Sequence, residues 1–226
     1  MKHLKNLFRN HQNAARKFRA EVTDDEATVY LYDPIGDWYG LGAKDFLDEI
    51  NALDVPVLHL RINSPGGDVF DARAIQTGLK QHSAKVIAHI DGIAASAATY
   101  IAMGADQIEM SDGAFFMIHN AWTLMFGNAN ELREQADILD KIDQSILKDY
   151  QKKTGASAEA IKDWMDNETW FTAEEALEHG FIDTIYEGED VEDFDLSSYS
   201  NAPKPKKKHF DHKNLERRLK LIELGT

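Results

Sequence analysis

Residues 55–62 read Val-Pro-Val-Leu-His-Leu-Arg-Ile and run directly into Asn63-Ser64-Pro65-Gly66-Gly67-Asp68. The run is nearly all apolar on both faces, the pattern of a strand buried inside a parallel sheet. Two adjacent glycines then let the backbone turn with positive φ. Residues 69–81 follow with Ile75 and Leu79 at helical spacing. A strand that turns at once into a helix must be followed by a return to the sheet, and the flanking chain supplies the partners. Residues 27–32 are rich in β-branched and aromatic side chains, and Asp33-Pro34-Ile35-Gly36-Asp37 breaks them off. Residues 43–53 place Phe46, Leu47, Ile50 and Leu53 on one helical face. Residues 85–90 read as a strand, 94–103 as a helix of small residues ended by Gly104, and 106–110 and 114–118 as short strands. Alternation of this kind predicts an α/β fold of right-handed βαβ units on a largely parallel sheet, with chemistry at the carboxyl ends of the strands.

Three signatures sit at or near predicted strand ends. The amides of Ser64-Pro65-Gly66-Gly67 and the helix start after them can hold an anion, including a developing oxyanion. Taken alone, a Gly-Gly pair is most often only a tight turn. Ser96, in Asp91-Gly92-Ile93-Ala94-Ala95-Ser96-Ala97, falls in the predicted first turn of a helix with small neighbours that leave room around its hydroxyl. There the Ala97 amide is a second candidate oxyanion donor. The logic is that of a nucleophile elbow without the G-x-S-x-G pattern; by itself such a serine would cap the helix. His119 closes the apolar run Phe115-Phe116-Met117-Ile118 and supplies the adjacent base that a serine nucleophile needs. A carboxylate should orient the imidazole. Asp166 and Glu168 are both in range, and composition does not choose between them.

The remaining chain reads as support. Residues 130–153 carry Leu132, Ala136, Leu139, Ile142, Ile146 and Tyr150 as one stripe on a long charged helix, stopped at Gly155. Such a helix is a lid, an oligomerisation arm, or packing within its own subunit. Residues 158–165 start another helix. Thr172 with Glu175 forms a capping box for a short helix closing at Gly180, and 181–186 is a last strand. Glu187, Glu189, Asp190, Glu192, Asp193 and Asp195 then mark a solvated linker. A basic patch at 203–208 and a short amphipathic helix at 215–224 end the chain. Lys2, Lys5, Arg9, Arg16, Lys17 and Arg19 make the first 20 residues a basic arm, poor in serine for a transit peptide and without the apolar centre of a secretory signal. The expected organisation is a basic arm over 1–24, a globular domain over 25–187 with a long helix at about 129–154, and a linker with helical tail over 188–226. A net charge of -14 argues against general nucleic-acid binding. The absence of cysteine removes disulfides, thiol nucleophiles and cysteine-type metal sites. No apolar run is long enough for a membrane helix.

Together these motifs resemble the ClpP serine peptidases, especially the ClpP-like proteases that phages encode for head maturation. Ile62-Asn63-Ser64-Pro65-Gly66-Gly67 looks like the glycine-rich oxyanion segment of that family. Ala94-Ala95-Ser96 looks like its nucleophile motif, and Met117-Ile118-His119 like its histidine motif. Phe171-Thr172-Ala173-Glu174-Glu175-Ala176 through Gly180-Phe181-Ile182-Asp183 matches its carboxyl-terminal helix and strand. The resemblance spans about residues 27–186. It implies a ClpP/crotonase-like fold of repeated βαβ units with a protruding handle helix. It implies homo-oligomeric rings, commonly heptamers that can stack through the handles. Carried over by position, Ser96 is nucleophile, His119 general base, and Gly67 and Ala97 the oxyanion donors. Glu168 stands where the family usually has aspartate, with Asp166 as the alternative. No metal or cofactor is implied. Tyr30-Leu31-Tyr32-Asp33-Pro34-Ile35-Gly36, the Asn63 to Asp71 segment and Glu168-Thr169-Trp170-Phe171 look like the phage branch. That branch implies scaffold and capsid proteins as substrates, in the bacterial host cytoplasm or inside a prohead, with both tails as assembly or self-processing segments. The alternatives are a bacterial housekeeping subunit that works on unfolded polypeptide with an ATPase, a catalytically silent ring, crotonase-type acyl-CoA chemistry, and a Ser-Lys peptidase. The last two leave the pairing of Ser96 with His119 without a purpose.

Overall fold

The computed structural model describes residues 19–23, 25–38, 40–188, 196 and 199–203. Eight strands form one sheet: β1 (Arg19–Val22), β2 (Glu26–Leu31), β3 (Val57–Ser64), β4 (Lys85–Ala95), β5 (Gln107–Ser111), β6 (Phe115–Ile118), β7 (Thr169–Phe171) and β8 (Thr184–Tyr186). Their order is β1-β2-β3-β4-β5-β8, with β6 on β4 and β7 on β6. Only β1 on β2 and β7 on β6 are antiparallel. The helices are α1 (Ala43–Asn51), α2 (Val69–Gln81), α3 (Ala97–Ala102), α4 (Ala129–Thr154), α5 (Ala158–Asp166) and α6 (Ala173–Glu178).

The expected βαβ alternation is present, with four adjustments. Residues 19–22 of the expected basic arm are an edge strand, because their backbone groups find partners on β2. The strand at 55–62 is not buried on both faces. Leu58, Leu60 and Ile62 point into the core beside Ala27, Val29 and Leu31 of β2 and Val86, Ala88 and Ile90 of β4, while Val57, His59 and Arg61 on the other face are half-buried. The expected final strand shrinks to residues 184–186. Finally, β4 does not stop at residue 90. It runs to Ala95, because its last residues, Ile93-Ala94-Ala95, pair with Phe115-Phe116-Met117 of β6 after its earlier residues have paired with β5. Ladder bonds thus override the helical preference of the alanines.

That fork in β4 positions the site. Beyond it, β3, β4, β6 and β7 converge, and β3 meets β4 through a register shift between Ile62 and Ser64. On the half-buried sheet face, Asp91 is 5% exposed and receives Arg61 on both carboxylate oxygens, Tyr32 Oη, and Tyr186 Oη at 2.6 Å. Burial and this carboxylate hold both tyrosines ionisable only at strongly alkaline pH.

The long helix α4 begins in a capping box, Asn128 with Glu131, and ends at left-handed Gly155. Only Ile146 and Tyr150 of its stripe are buried; Leu132 is exposed, so the first half stands free of its own subunit. Its base is docked by Arg73 of α2 onto Asp149 and Ser145, and by Lys153 onto Asp183 at 2.8 Å. The capping box at Thr172 and Glu175 is formed as expected. The expected carboxyl-terminal helix, the basic patch from residue 204 on and most of the acidic run lie outside the described residues.

Candidate active site

Ser96 lies between β4 and α3, one residue before the helix rather than in its first turn. Its φ is 54°, one of two positive-φ non-glycine residues among those described. Such backbone is strained for serine and persists only where the surroundings enforce it. Three contacts enforce it here. The Ser96 amide donates to the Met117 carbonyl at 2.9 Å. Its own carbonyl accepts from the Thr99 amide at 3.0 Å and from the Thr99 hydroxyl at 2.6 Å. Thr99 has thereby used its proton, so the buried Tyr150 hydroxyl on α4 is the donor in the 2.6 Å bond to Thr99 Oγ1. A chain of hydroxyls therefore links the base of the long helix to the serine elbow.

With the backbone so fixed, Ser96 Oγ is 2.7 Å from His119 Nε2. His119 leaves the end of β6 into this pocket. Burial pushes its pKa below the ordinary imidazole value, and the Glu168 charge offsets part of that. The imidazole is therefore neutral near pH 7, as a general base must be.

Gly66 and Gly67 have φ of 90° and 152°. A Cβ on Gly66 would come within 2.5 Å of the Ala95 carbonyl and 2.9 Å of both Ala97 N and Ser96 Cβ. The turn thus lies directly against the elbow. Ile35 bridges this segment in parallel fashion, donating to Gly66 O at 2.9 Å and accepting from Asp68 N at 2.8 Å. That pairing turns the Gly67 amide away from Ile35. The Ala97 amide opens α3, where helix N–H groups have no partner within the helix.

The two candidate acids separate clearly. Asp166 is at the surface, held by Asn120 Nδ2 at 2.9 Å and Lys162 at 2.6 Å, which keep its pKa below the usual carboxylate range. Glu168 follows in positive-φ backbone (φ 48°) and is the acid whose charge His119 feels. Among the described residues neither carboxylate hydrogen-bonds to the imidazole. Glu168 instead accepts from the backbone amides of Ser200 at 3.2 Å and Asn201 at 2.6 Å, and from Trp170 Nε1 at 3.4 Å.

Those bonds come from a segment expected to be solvated linker. Leu196 and Tyr199 pack on Ile93, Ala95 and Met117 together with Trp170. The Tyr199 ring stands edge-on to His119 at 5.7 Å and to Trp170 at 5.5 Å, and its hydroxyl donates to the Pro65 carbonyl. The signal in the sequence was weak: Leu196 and Tyr199 stand in a run of acids, Ser and Asn that also holds Val191 and Phe194. Tyr150 reads in the sequence only as part of the long helix's stripe and Thr99 carries no signal of its own, since nothing in sequence couples a helix residue to a turn 54 positions earlier on the chain.

A family model described as Clp protease matches residues 23–189. Curated relatives include the ATP-dependent Clp protease proteolytic subunit 1 of Protochlamydia amoebophila, 33% identical over 139 residues, covering 58% of this chain and 65% of that protein. Proteolytic subunit 2 of Tropheryma whipplei is 30% identical over 130 residues, 57% of this chain and 72% of that one. Subunit 1 of Chlamydia abortus is 28% identical over 170 residues, 71% and 86% respectively. The match therefore spans slightly under two thirds of the first relative. Among solved structures, a point mutant of ClpP1 from Listeria monocytogenes superposes with a TM-score of 0.62 at 25% identity, covering 71% of this chain and 91% of that one.

Proposed function

The chain belongs to the Clp protease family, and on that premise we propose that it is a serine endopeptidase acting through an acyl-enzyme, with Ser96 as nucleophile and His119 as general base. One observation carries the proposal: a serine in strained positive-φ backbone, with its Oγ 2.7 Å from a part-buried imidazole nitrogen and the Gly66-Gly67 turn against it. In the proposed reaction Ser96 Oγ attacks the scissile carbonyl carbon while its proton passes to His119 Nε2. The oxyanion accepts hydrogen bonds from the Gly67 and Ala97 amides, each donor contributing about 10²–10³ in rate. The tetrahedral adduct collapses, the C–N bond breaks and His119 protonates the departing amine. Water, deprotonated by the same nitrogen, then hydrolyses the ester. Glu168 supports the imidazolium by charge.

The substrates in this reading are scaffold and capsid proteins during phage head maturation, within a homo-oligomeric ring. The support is the phage-like segments around Tyr30, Asn63 and Glu168. A second reading is favoured by the relatives' names, which describe ATP-dependent Clp proteolytic subunits: a ring that degrades unfolded polypeptide delivered by an ATPase. Incubating the assembled protein with a phage capsid scaffold protein and with an unfolded polypeptide, each with and without a Clp ATPase and ATP, separates the two. Cleavage without ATPase supports the first reading, and strict dependence on ATP the second.

Labelling by a fluorophosphonate tests the chemistry. Wild type should label, and Ser96→Ala and His119→Ala should not. An assembled wild type that stays unlabelled would replace the peptidase with a catalytically silent ring.

A further inference from the structure

Resting on the peptidase reading, we propose that the cleft beside Ser96 and His119 contains a subsite for an aromatic side chain, and that Tyr199, carried by the chain's own residues 199–203, fills it as a competitive strap. The subsite is walled by Ile93, Ala95, Met117 and Trp170, with His119 at one edge and the Pro65 carbonyl at the other. Its chemistry selects tyrosine or phenylalanine. The walls are apolar or aromatic and take a ring edge-on, and the far end offers a lone acceptor that a phenolic hydroxyl reaches. Tyr199 satisfies every one of these features.

The strap does more than fill space. A substrate carbonyl must approach Ser96 from the side bounded by His119 and the Pro65–Gly67 turn, and Tyr199 spans that gap, from the His119 ring to the Pro65 carbonyl. Beyond it, the Ser200 and Asn201 amides engage both oxygens of Glu168, and Asn201 Nδ2 donates to the Asn167 carbonyl at 2.7 Å. The carboxylate is thereby turned to the strap. Release of residues 199–203 opens the ring subsite, clears the approach to Ser96 and frees Glu168 to turn toward His119. The ligand class follows from the occupant: polypeptide carrying Tyr or Phe followed by small polar residues, taken up in a bent rather than a strand-like path.

Two experiments on full-length chains test this. In the first, a fluorescent peptide with the sequence of residues 196–203, and a counterpart with alanine for the tyrosine, are titrated against the Ser96→Ala/Tyr199→Ala double variant by anisotropy. The tyrosine peptide should bind at least about ten-fold more tightly, as expected for a buried aromatic anchor. Its affinity should drop on the Ser96→Ala chain that keeps its own Tyr199. Equal binding of the two peptides overturns the subsite, whether or not the protein is a peptidase. In the second, fluorophosphonate labelling rates are compared. Tyr199→Ala should label several-fold faster than wild type, and Tyr199→Phe, which keeps the ring and loses the Pro65 bond, should fall between. Identical rates overturn the strap. If the tyrosine peptide binds selectively but no form labels, the aromatic subsite stands and the serine peptidase reading falls.

Discussion

At the scale of single residues, the acid–base balance of His119 is the most exposed to test. Its pKa is lowered by burial and partly restored by Glu168. The base must be neutral to work, so kcat/KM should rise with pH through a midpoint below the ordinary imidazole value of about 6.5. Removing the charge of Glu168 removes the restoring influence. In Glu168→Gln the midpoint should therefore move to still lower pH while kcat falls by about 10-fold or more. Asp166→Asn, at a carboxylate tied to Asn120 and Lys162, should leave the acid limb in place. A pH–rate profile in which Asp166→Asn shifts the limb and Glu168→Gln does not would exchange their roles. Gly67 offers a steric test. A Cβ there would stand 2.0 Å from the Ile35 carbonyl, in backbone with φ of 152°. Gly67→Ala should cost at least about 1–3 kcal/mol in strain alone, read from urea unfolding, and should lose activity as the turn is displaced.

At the scale of elements, α4 behaves as two helices in one. Its second half is bound to the body through Tyr150, Ile146 and the Arg73–Asp149 pair. Its first half has no buried residue and depends on its cap. Asn128→Ala removes both backbone bonds made by that side chain, at about 1 kcal/mol. The effect should be local: faster amide exchange in the first turns of α4, with the global unfolding midpoint nearly unchanged. Tyr150→Phe tests the other end. It deletes the donor to Thr99 Oγ1 and keeps the ring contacts with Tyr100 and Phe181. A net loss of about 1 kcal/mol is expected. Turnover should decrease while KM holds, because what loosens is the elbow under Ser96.

At the scale of the molecule, the sheet is held from one side by an apolar core and from the other by a polar lattice centred on Asp91. Asp91→Ala strands Arg61 and the Tyr32 hydroxyl, leaves Tyr186 only the Ile90 carbonyl at 3.2 Å, and should destabilise the fold by about 3 kcal/mol, the lower end for a buried ion pair because Arg61 keeps 35% of its side chain exposed. The histidines set the pH dependence. His89 and His119 both have pKa values lowered, chiefly by burial. Below about pH 6.5 the unfolded chain binds more protons at these positions than the folded one, so stability falls on acidification and levels off below the folded pKa values. Urea midpoints measured from pH 8 to pH 5 should decrease accordingly. His89→Gln, which removes the imidazole that faces His59, Glu109 and Arg61, should flatten that slope.

The apolar runs at 27–32, 55–62 and 85–90, the helical stripes between them and the Gly66-Gly67 break fixed the α/β alternation, because period and turn chemistry are local properties of a chain. The capping box at Thr172 was legible for the same reason, its acceptor and donor lying three residues apart. The candidates Ser96 and His119 could be named from their motifs. Their meeting could not, since it depends on β4 running past residue 90 to pair with β6, a competition between ladder bonds and helix propensity that only the assembled sheet decides. Likewise the two acids, Asp166 and Glu168, are nearly equivalent along the chain. The end of α5 sends one to solvent and the next turn, in positive-φ backbone, sends the other to the Ser200 and Asn201 amides, near enough for its charge to act on His119. Tyr199 is the clearest case. In sequence it is an aromatic residue in a polar linker, and the ring contacts and hydroxyl bond that place it between His119 and Pro65 come from residues 29 or more positions away.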